Sequence, residues 1–279
     1  MTGDSTRITW HTTTIEGRPA HYGTGGHGDH VVFLHGWGIA DRACTKALQS
    51  LAASGLAVHA PALPGFGGTA ELPRAERDLR GYARWVASFI ARIGVPSPVT
   101  LIGYSFGGGV AIRTAHDSPE LVRRLVLVNS IGGSSWADGR GVVKALAERP
   151  LWDWGLHLQA DLMPGRQITR VLPVVLRDLV PNLARAPGAI LHVAHLARTA
   201  DLTDELAELN RRRLPIVIVW SRQDNVIPAA TLRSLRTSLG DPRLVTVPGG
   251  HTWLMAEPKR FGEVITNILA FPDQPPGAA

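Results

Sequence analysis

Short runs of continuously apolar residues recur along this chain. Between them lie longer stretches in which apolar side chains return every three or four positions. The runs are Val31-Val32-Phe33-Leu34, 125–128 and 215–220, with 56–60 and 99–102 each interrupted by one polar residue, His59 and Thr100, and 243–247 reads as a further strand. Unbroken apolar runs of this length suit strands that a parallel sheet buries on both faces. Residues 41–53, 77–93, 108–116, 229–238 and 254–269 have helical spacing, and Gly94 supplies a stop for the second of these. Ahead of the first run, residues 6–14 and 18–23 read as two short strands joined at Glu16-Gly17, a hairpin signal. Strands alternating with helices imply a mostly parallel sheet with helices on both faces. Ligands of such sheets bind beyond the carboxyl ends of the strands, so the loops after Leu34, Ile102 and Val128 are expected to converge on one rim.

The rhythm breaks after Asn129. Residues 131–214 contain no convincing strand; 141–149, 152–162, 167–180, 189–199 and 204–213 read as short helices separated by Pro and Gly. Such a segment is too long for an ordinary connection and too patterned for a linker. The expected organisation is a core formed by residues 1–130 and 215–279, with a helical cap, 131–214, lying over the rim.

Composition narrows the class. With 279 residues, 44% hydrophobic and 19% charged, the chain can bury a large core. The ends are expected to be extensions, polar before Arg7 and rich in Pro after Phe271. One cysteine, Cys44, excludes an intrachain disulfide. No apolar stretch approaches the roughly 20 residues that span a bilayer, and the start lacks a secretory pattern, so the expected location is the cytoplasm. The net charge of +6 is dispersed. Its one run, Arg211-Arg212-Arg213, sits before a strand and reads as a solvated connector, so no nucleic-acid partner is expected.

The chemistry concentrates at Gly103-Tyr104-Ser105-Phe106-Gly107, between the run 99–102 and a helix-compatible segment. A serine at the apex of a sharp strand-to-helix turn is held in a strained backbone and exposed for attack; small residues two before and two after it let strand and helix crowd together. A hydroxyl needs a base within hydrogen-bond reach, and the base needs a carboxylate that fixes its tautomer. Asp224, in the loop after the strand ending at Trp220, and His251, in Pro248-Gly249-Gly250-His251, both fall at the expected rim. The order Ser, Asp, His is the one this architecture uses. Asp224 competes with a bland role as a helix cap near Pro228. An acid following Val128 is the weaker alternative, because that position offers Asn129, with Asp138 further on. His35 and His59 read as structural groups at the rim, and His27 and His30 as residues of an exposed loop. His192 and His195, one turn apart, lack a clear third metal ligand and read as surface.

Together, His35-Gly36-Trp37-Gly38, Pro64-Gly65-Phe66-Gly67, the Ser105 turn, the Asp224 loop and Gly250-His251 resemble the α/β-hydrolase superfamily over nearly the whole chain. The resemblance implies the α/β-hydrolase fold: a mostly parallel eight-stranded sheet flanked by helices, with a helical cap inserted after the sixth strand. It further implies Ser105 as nucleophile, His251 as general base and later acid, and Asp224 as the orienting carboxylate. The backbone N–H groups of Phe106 and Trp37 are the expected oxyanion donors. Trp37, Tyr104 and Trp136 are candidate substrate contacts; Trp152, Trp154 and Met163 read as cap core. The expected activity is cleavage of small to medium, largely apolar carboxylic esters, with a small-molecule ester as partner and no metal or organic cofactor. The rivals are carbon–carbon bond hydrolysis of the meta-cleavage-product type and, in another class, a non-catalytic ligand receptor on the same scaffold.

Overall fold

Every expected strand takes its place in a single eight-stranded sheet of the computed structural model, which describes residues 6–134 and 165–271. The strands are β1 (Thr9–Ile15), β2 (Arg18–Gly25), β3 (Asp29–Leu34), β4 (Leu56–Pro61), β5 (Val99–Tyr104), β6 (Val122–Val128), β7 (Ile216–Ser221) and β8 (Arg243–Val247). Their spatial order is β1-β2-β4-β3-β5-β6-β7-β8. The first two pair antiparallel, as β2 does with β4, and the other neighbours are parallel. The hairpin turns at Glu16 and Gly17, both at positive φ (51° and 76°), the geometry that matches the twist of adjoining strands.

Side chains alternate across the sheet and feed two cores. Val32 and Leu34 of β3 pack with α2 (Leu79–Ile93) and α3 (Phe106–Asp117) on one face. Val31 and Phe33 pack with α1 (Thr45–Ala53) and the last helix on the other. Side chains buried this completely contribute about 1.5–3 kcal/mol each. Helix α2 starts where the Asp78 carboxylate accepts the Gly81 N–H (2.7 Å) and ends at Gly94, which adopts φ 68°.

Between β6 and β7 the described residues form three helices, α4 (Gly165–Arg185), α5 (Pro187–Thr199) and α6 (Thr203–Arg211), with one isolated parallel bridge between Gly132 and Asp201. This matches an insertion after the sixth strand, although the expected break near residue 180 is absent. Helix α4 runs through Pro181, because Asp178 and Asn182 on either side of that residue bond to core loops, and Val171 and Val175 are buried. The helices expected at 141–149 and 152–162, with Trp136, Asp138, Trp152, Trp154 and Met163, lie outside the described residues. After β7 come α7 (Ala229–Ser238), β8, and two helices where one was expected, α8 (Trp253–Ala256) and α9 (Pro258–Ala270). Pro258 disfavours helical backbone at the residue before it, and Glu257 accordingly leaves the helix at φ −128°, ψ 62°. No helix among the described residues is long and apolar enough to cross a membrane.

Candidate active site

Ser105 sits between β5 and α3 at φ 54°, ψ −118°, a conformation that costs of order 1–3 kcal/mol and persists only where its surroundings impose it. The surroundings here are backbone contacts. A Cβ on Gly103 would meet Gly108 Cα at 2.5 Å, and one on Gly107 would meet the His35 carbonyl oxygen at 2.6 Å. Ser105 N–H donates to Val128 O (3.0 Å), tying the turn to β6.

The remaining groups arrive on two loops at the same rim. The Ser105 hydroxyl lies 3.0 Å from His251 Nε2, and His251 Nδ1 lies 2.9 Å from Asp224 Oδ2. Donation from Ser105 O–H to Nε2 and from Nδ1–H to Asp224 fits one neutral tautomer of the ring. All three residues are buried or nearly so, with the Asp224 side chain fully shielded. Burial alone would raise the Asp224 carboxyl. The facing His251, with donors from His251, Ile227 and Asn129, outweighs it and holds the group below its ordinary value. Its Oδ1 accepts from Val226 N (2.8 Å) and Ile227 N (2.9 Å), which braces its own loop; the helix that begins at Ala229 has Pro228 in the N-cap position and no side-chain cap, so Asp224 does not cap it.

Two residues reinforce this arrangement beyond what the sequence indicates. Asn129 occupies the position first considered for an alternative acid. Its Nδ2 donates to Asp224 Oδ2 and to Ser221 Oγ (2.6 Å), while its Oδ1 accepts from Trp253 Nε1 (3.0 Å). Gln223 couples the acid and histidine loops: its N–H donates to Gly249 O (3.1 Å) and its Oε1 accepts from Gly249 N (2.6 Å). Adjacency to Asp224 was the only sequence signal for Gln223. Asn129 had a clearer one, a polar side chain directly after the apolar run 125–128.

A small cavity at Ser105 is lined by Trp37, Ile39, Val175, Leu179, Val226 and Met255, together with Tyr104 and His251. Trp37 and Tyr104, two of the three candidate substrate contacts, line this cavity; the third, Trp136, lies outside the described residues. Phe106 opens α3, its ring buried against Tyr82 (5.2 Å between centroids). The Trp37 indole donates to Ile190 O on α5 (2.7 Å). His35 is structural, as expected. Its Nδ1–H donates to Gly36 O (2.9 Å) and its Nε2 accepts the Leu63 N–H (2.9 Å), and burial pushes it down to about 4, which keeps it neutral.

The other histidines stand apart. His30 belongs to β3 rather than to an exposed loop, because Asp29 and His30 continue the ladder with Leu56 and Ala57. His30 Nδ1 lies 3.0 Å from His59 Nε2, in an outer groove that shares no lining residue with the Ser105 cavity. His27 is exposed. His192 contacts the Arg77 carbonyl, His195 is exposed, and no group of three metal-ligating side chains occurs among the described residues. Arg211 and Arg212 pair with Glu208, as a solvated connector would.

Residues 31–264 match the model of the alpha/beta hydrolase family. A pimeloyl-acyl-carrier-protein methyl ester esterase of Aeromonas hydrophila is 29% identical over 88% of this chain and 96% of that protein. Among solved structures, a bromoperoxidase from Bacillus anthracis superposes with a TM-score of 0.78 at 16% identity, covering 94% of this chain and 100% of that one. An esterase from Exiguobacterium antarcticum gives 0.75 at 19% identity, over 95% and 99%. At these identities the structural likeness is one of fold.

Proposed function

Because this chain belongs to the alpha/beta hydrolase family, we propose that it is a serine hydrolase cleaving small to medium, largely apolar carboxylic esters through an acyl-enzyme. The observation that carries the reading is the unbroken line from Ser105 Oγ through the His251 ring to Asp224, at 3.0 Å and 2.9 Å. In it, Ser105 Oγ gives its proton to His251 Nε2 as it attacks the ester carbonyl, and Asp224 stabilises the imidazolium. The carbonyl oxygen, now negative, is held by the Trp37 and Phe106 N–H groups, each such donor being worth about 3 kcal/mol of barrier. His251 returns the proton to the leaving alcohol as the C–O bond breaks. Water then repeats the sequence on the acyl group, and Ser105 is regenerated.

Ester chemistry is supported by the relatives named as methyl ester esterases. Preference for apolar substrates is supported by the cavity lining, to which α4 of the insertion contributes Val175 and Leu179. We read residues 131–214 as a cap on this ground, over a core of 1–130 and 215–279.

The test is a panel of p-nitrophenyl esters from acetate to octanoate, a vinylogous diketone and a fluorophosphonate probe. Turnover of the shorter esters and labelling of the wild type are expected, both lost in Ser105→Ala. Diketone cleavage with background ester turnover would favour the carbon–carbon hydrolase. Folded protein with neither turnover nor label would favour a receptor.

A further inference from the structure

We propose that Asp178, on the inserted helix α4, is a positioning residue that fixes the backbone carrying the Trp37 N–H. The proposal rests on the serine-hydrolase reading above, in which that N–H receives the developing oxyanion.

The loop from His35 to Ala40 contains Gly36 and Gly38, the latter at φ 77°, and has little stiffness of its own. At its start, His35 clamps it through Gly36 O and Leu63 N. At its end a helical turn, Asp41–Cys44, leads into α1, and the residue in the N-cap position is Ala40, which has no side-chain acceptor. The first N–H groups of a helix need partners. Arg42 N–H turns to its neighbour Asp41 Oδ1 (3.0 Å) and Ala43 N–H to Ala40 O (3.3 Å), and one oxygen from far along the chain reinforces the turn: Asp178 Oδ2 accepts from Ala40 N (2.9 Å) and Ala43 N (3.0 Å). A carboxylate on α4 therefore caps the turn in trans, three residues from Trp37.

Two neighbouring contacts make this a frame rather than one bond. Asn182, one turn beyond Asp178, accepts the Gly67 N–H from the loop after β4 (3.0 Å). The Trp37 indole is held by Ile190 O on α5 (2.7 Å). Beyond His35, each of these anchors comes from the insertion. Leu179, next to Asp178, lines the Ser105 cavity, so the helix that shapes the cavity also sets the loop. A donor catalyses only if it is preorganised toward the oxygen of the tetrahedral state, so slack in this loop would reduce kcat more than binding.

The experiment uses the full chain with Asp178→Leu, which removes the acceptor, and Asp178→Asn, which retains one. Readouts are kcat and KM on p-nitrophenyl butyrate and the inhibition constants of two matched compounds. One is a trifluoromethyl ketone, which forms a tetrahedral adduct bearing an oxyanion; the other is the corresponding secondary alcohol, which fills the cavity without an adduct. Asp178→Leu is expected to lower kcat about ten- to a hundredfold and weaken the ketone by a similar factor, with KM and the alcohol within about threefold. Asp178→Asn is expected to stay within about threefold of wild type throughout. Should Asp178→Leu not fold, Asp178→Ser, too short to serve both N–H groups, is expected to show the same selective pattern at smaller amplitude. Wild-type kcat and ketone affinity in the acceptor-less variants, equal weakening of ketone and alcohol, or Asp178→Asn as impaired as Asp178→Leu would each overturn the proposal. A wild type that neither hydrolyses esters nor takes the fluorophosphonate label would instead overturn the underlying reading.

Discussion

Asp224 receives four donors on two oxygens, and each can be separated by its chemistry. Asp224→Asn keeps the shape but lets an amide N–H face His251, which selects the wrong tautomer; kcat should fall on the order of 10³–10⁴-fold while the melting temperature changes little. Retained turnover would move the acid role elsewhere. Asn129 tests the opposite change. Asn129→Asp preserves an acceptor for Trp253 Nε1 but replaces the amide donor to Asp224 with a second carboxylate in a buried site. Two carboxylates so close cannot both ionise without cost, so the added group should have a raised pKa. Such a group binds its proton more tightly folded than unfolded, and the variant's stability deficit should grow as pH rises from 5 to 8. Melting temperatures across that range decide it, and a deficit independent of pH would show that Asn129 does not face Asp224 as a donor. Asn129 entered the sequence reading only as the residue at the alternative acid position, because its amide bonds to three residues far along the chain, which no local pattern encodes.

At the scale of elements, two glycines with different reasons for being glycine make a quantitative contrast. Gly94 ends α2 at φ 68° with nothing within 4 Å of where a Cβ would stand, so Gly94→Ala should cost only the left-handed conformation, about 1 kcal/mol. Gly107 has a backbone oxygen at 2.6 Å from such a Cβ, and neither α3 nor β3 can yield without moving Ser105. Gly107→Ala should therefore exceed about 3 kcal/mol and abolish activity in whatever protein folds. Urea denaturation of the two variants checks the ranking; equal costs would mean the turn is less crowded than its contacts indicate. Both glycines were legible because stop signals and the G-x-S-x-G turn are local. The sheet was legible for the same reason, its central strands being short apolar runs and its first two a hairpin marked by Glu16-Gly17. The course of α4 through Pro181 was not, because the contacts that hold it, Asp178 to Ala40 and Asn182 to Gly67, span more than 100 residues. Its exposed Leu176, Val180 and Leu183 also blur the hydrophobic stripe on which a helix boundary would be read.

Across the whole molecule, stability should depend on pH through buried groups that pull in opposite directions. Burial lowers His35 to about 4, and burial with the facing His30 lowers His59 to about 4. Both are neutral in the fold and protonated in the unfolded chain below about 6.5, so their contribution is complete above that pH and lost as pH falls toward 4. Asp41 behaves inversely. Burial raises it to about 7, the Arg42 N–H opposing this and Asp178 adding to it; among the described residues its Oδ2 has no hydrogen-bond partner. Its contribution is complete below about 4 and lost as pH rises to about 7. His21, lowered, joins the histidine side, and Asp178, raised, joins the carboxylate side. Between pH 4 and 6.5 the unfolded chain holds a proton on each of His35 and His59 that the fold lacks, and the fold holds one on Asp41. The difference is up to one net proton favouring stability at higher pH, less whatever solvent screens from the partly exposed His59. Above 6.5 the histidines stop contributing while Asp41 continues to ionise, so the melting temperature should peak near pH 6.5. Asp41→Asn removes the opposing group: the acid flank should steepen toward two protons and the decline above the peak should disappear. Denaturation midpoints at pH 4.5, 6.5 and 8 measure both slopes, and a variant that keeps the wild-type slopes would mean that Asp41 does not carry a proton in the fold.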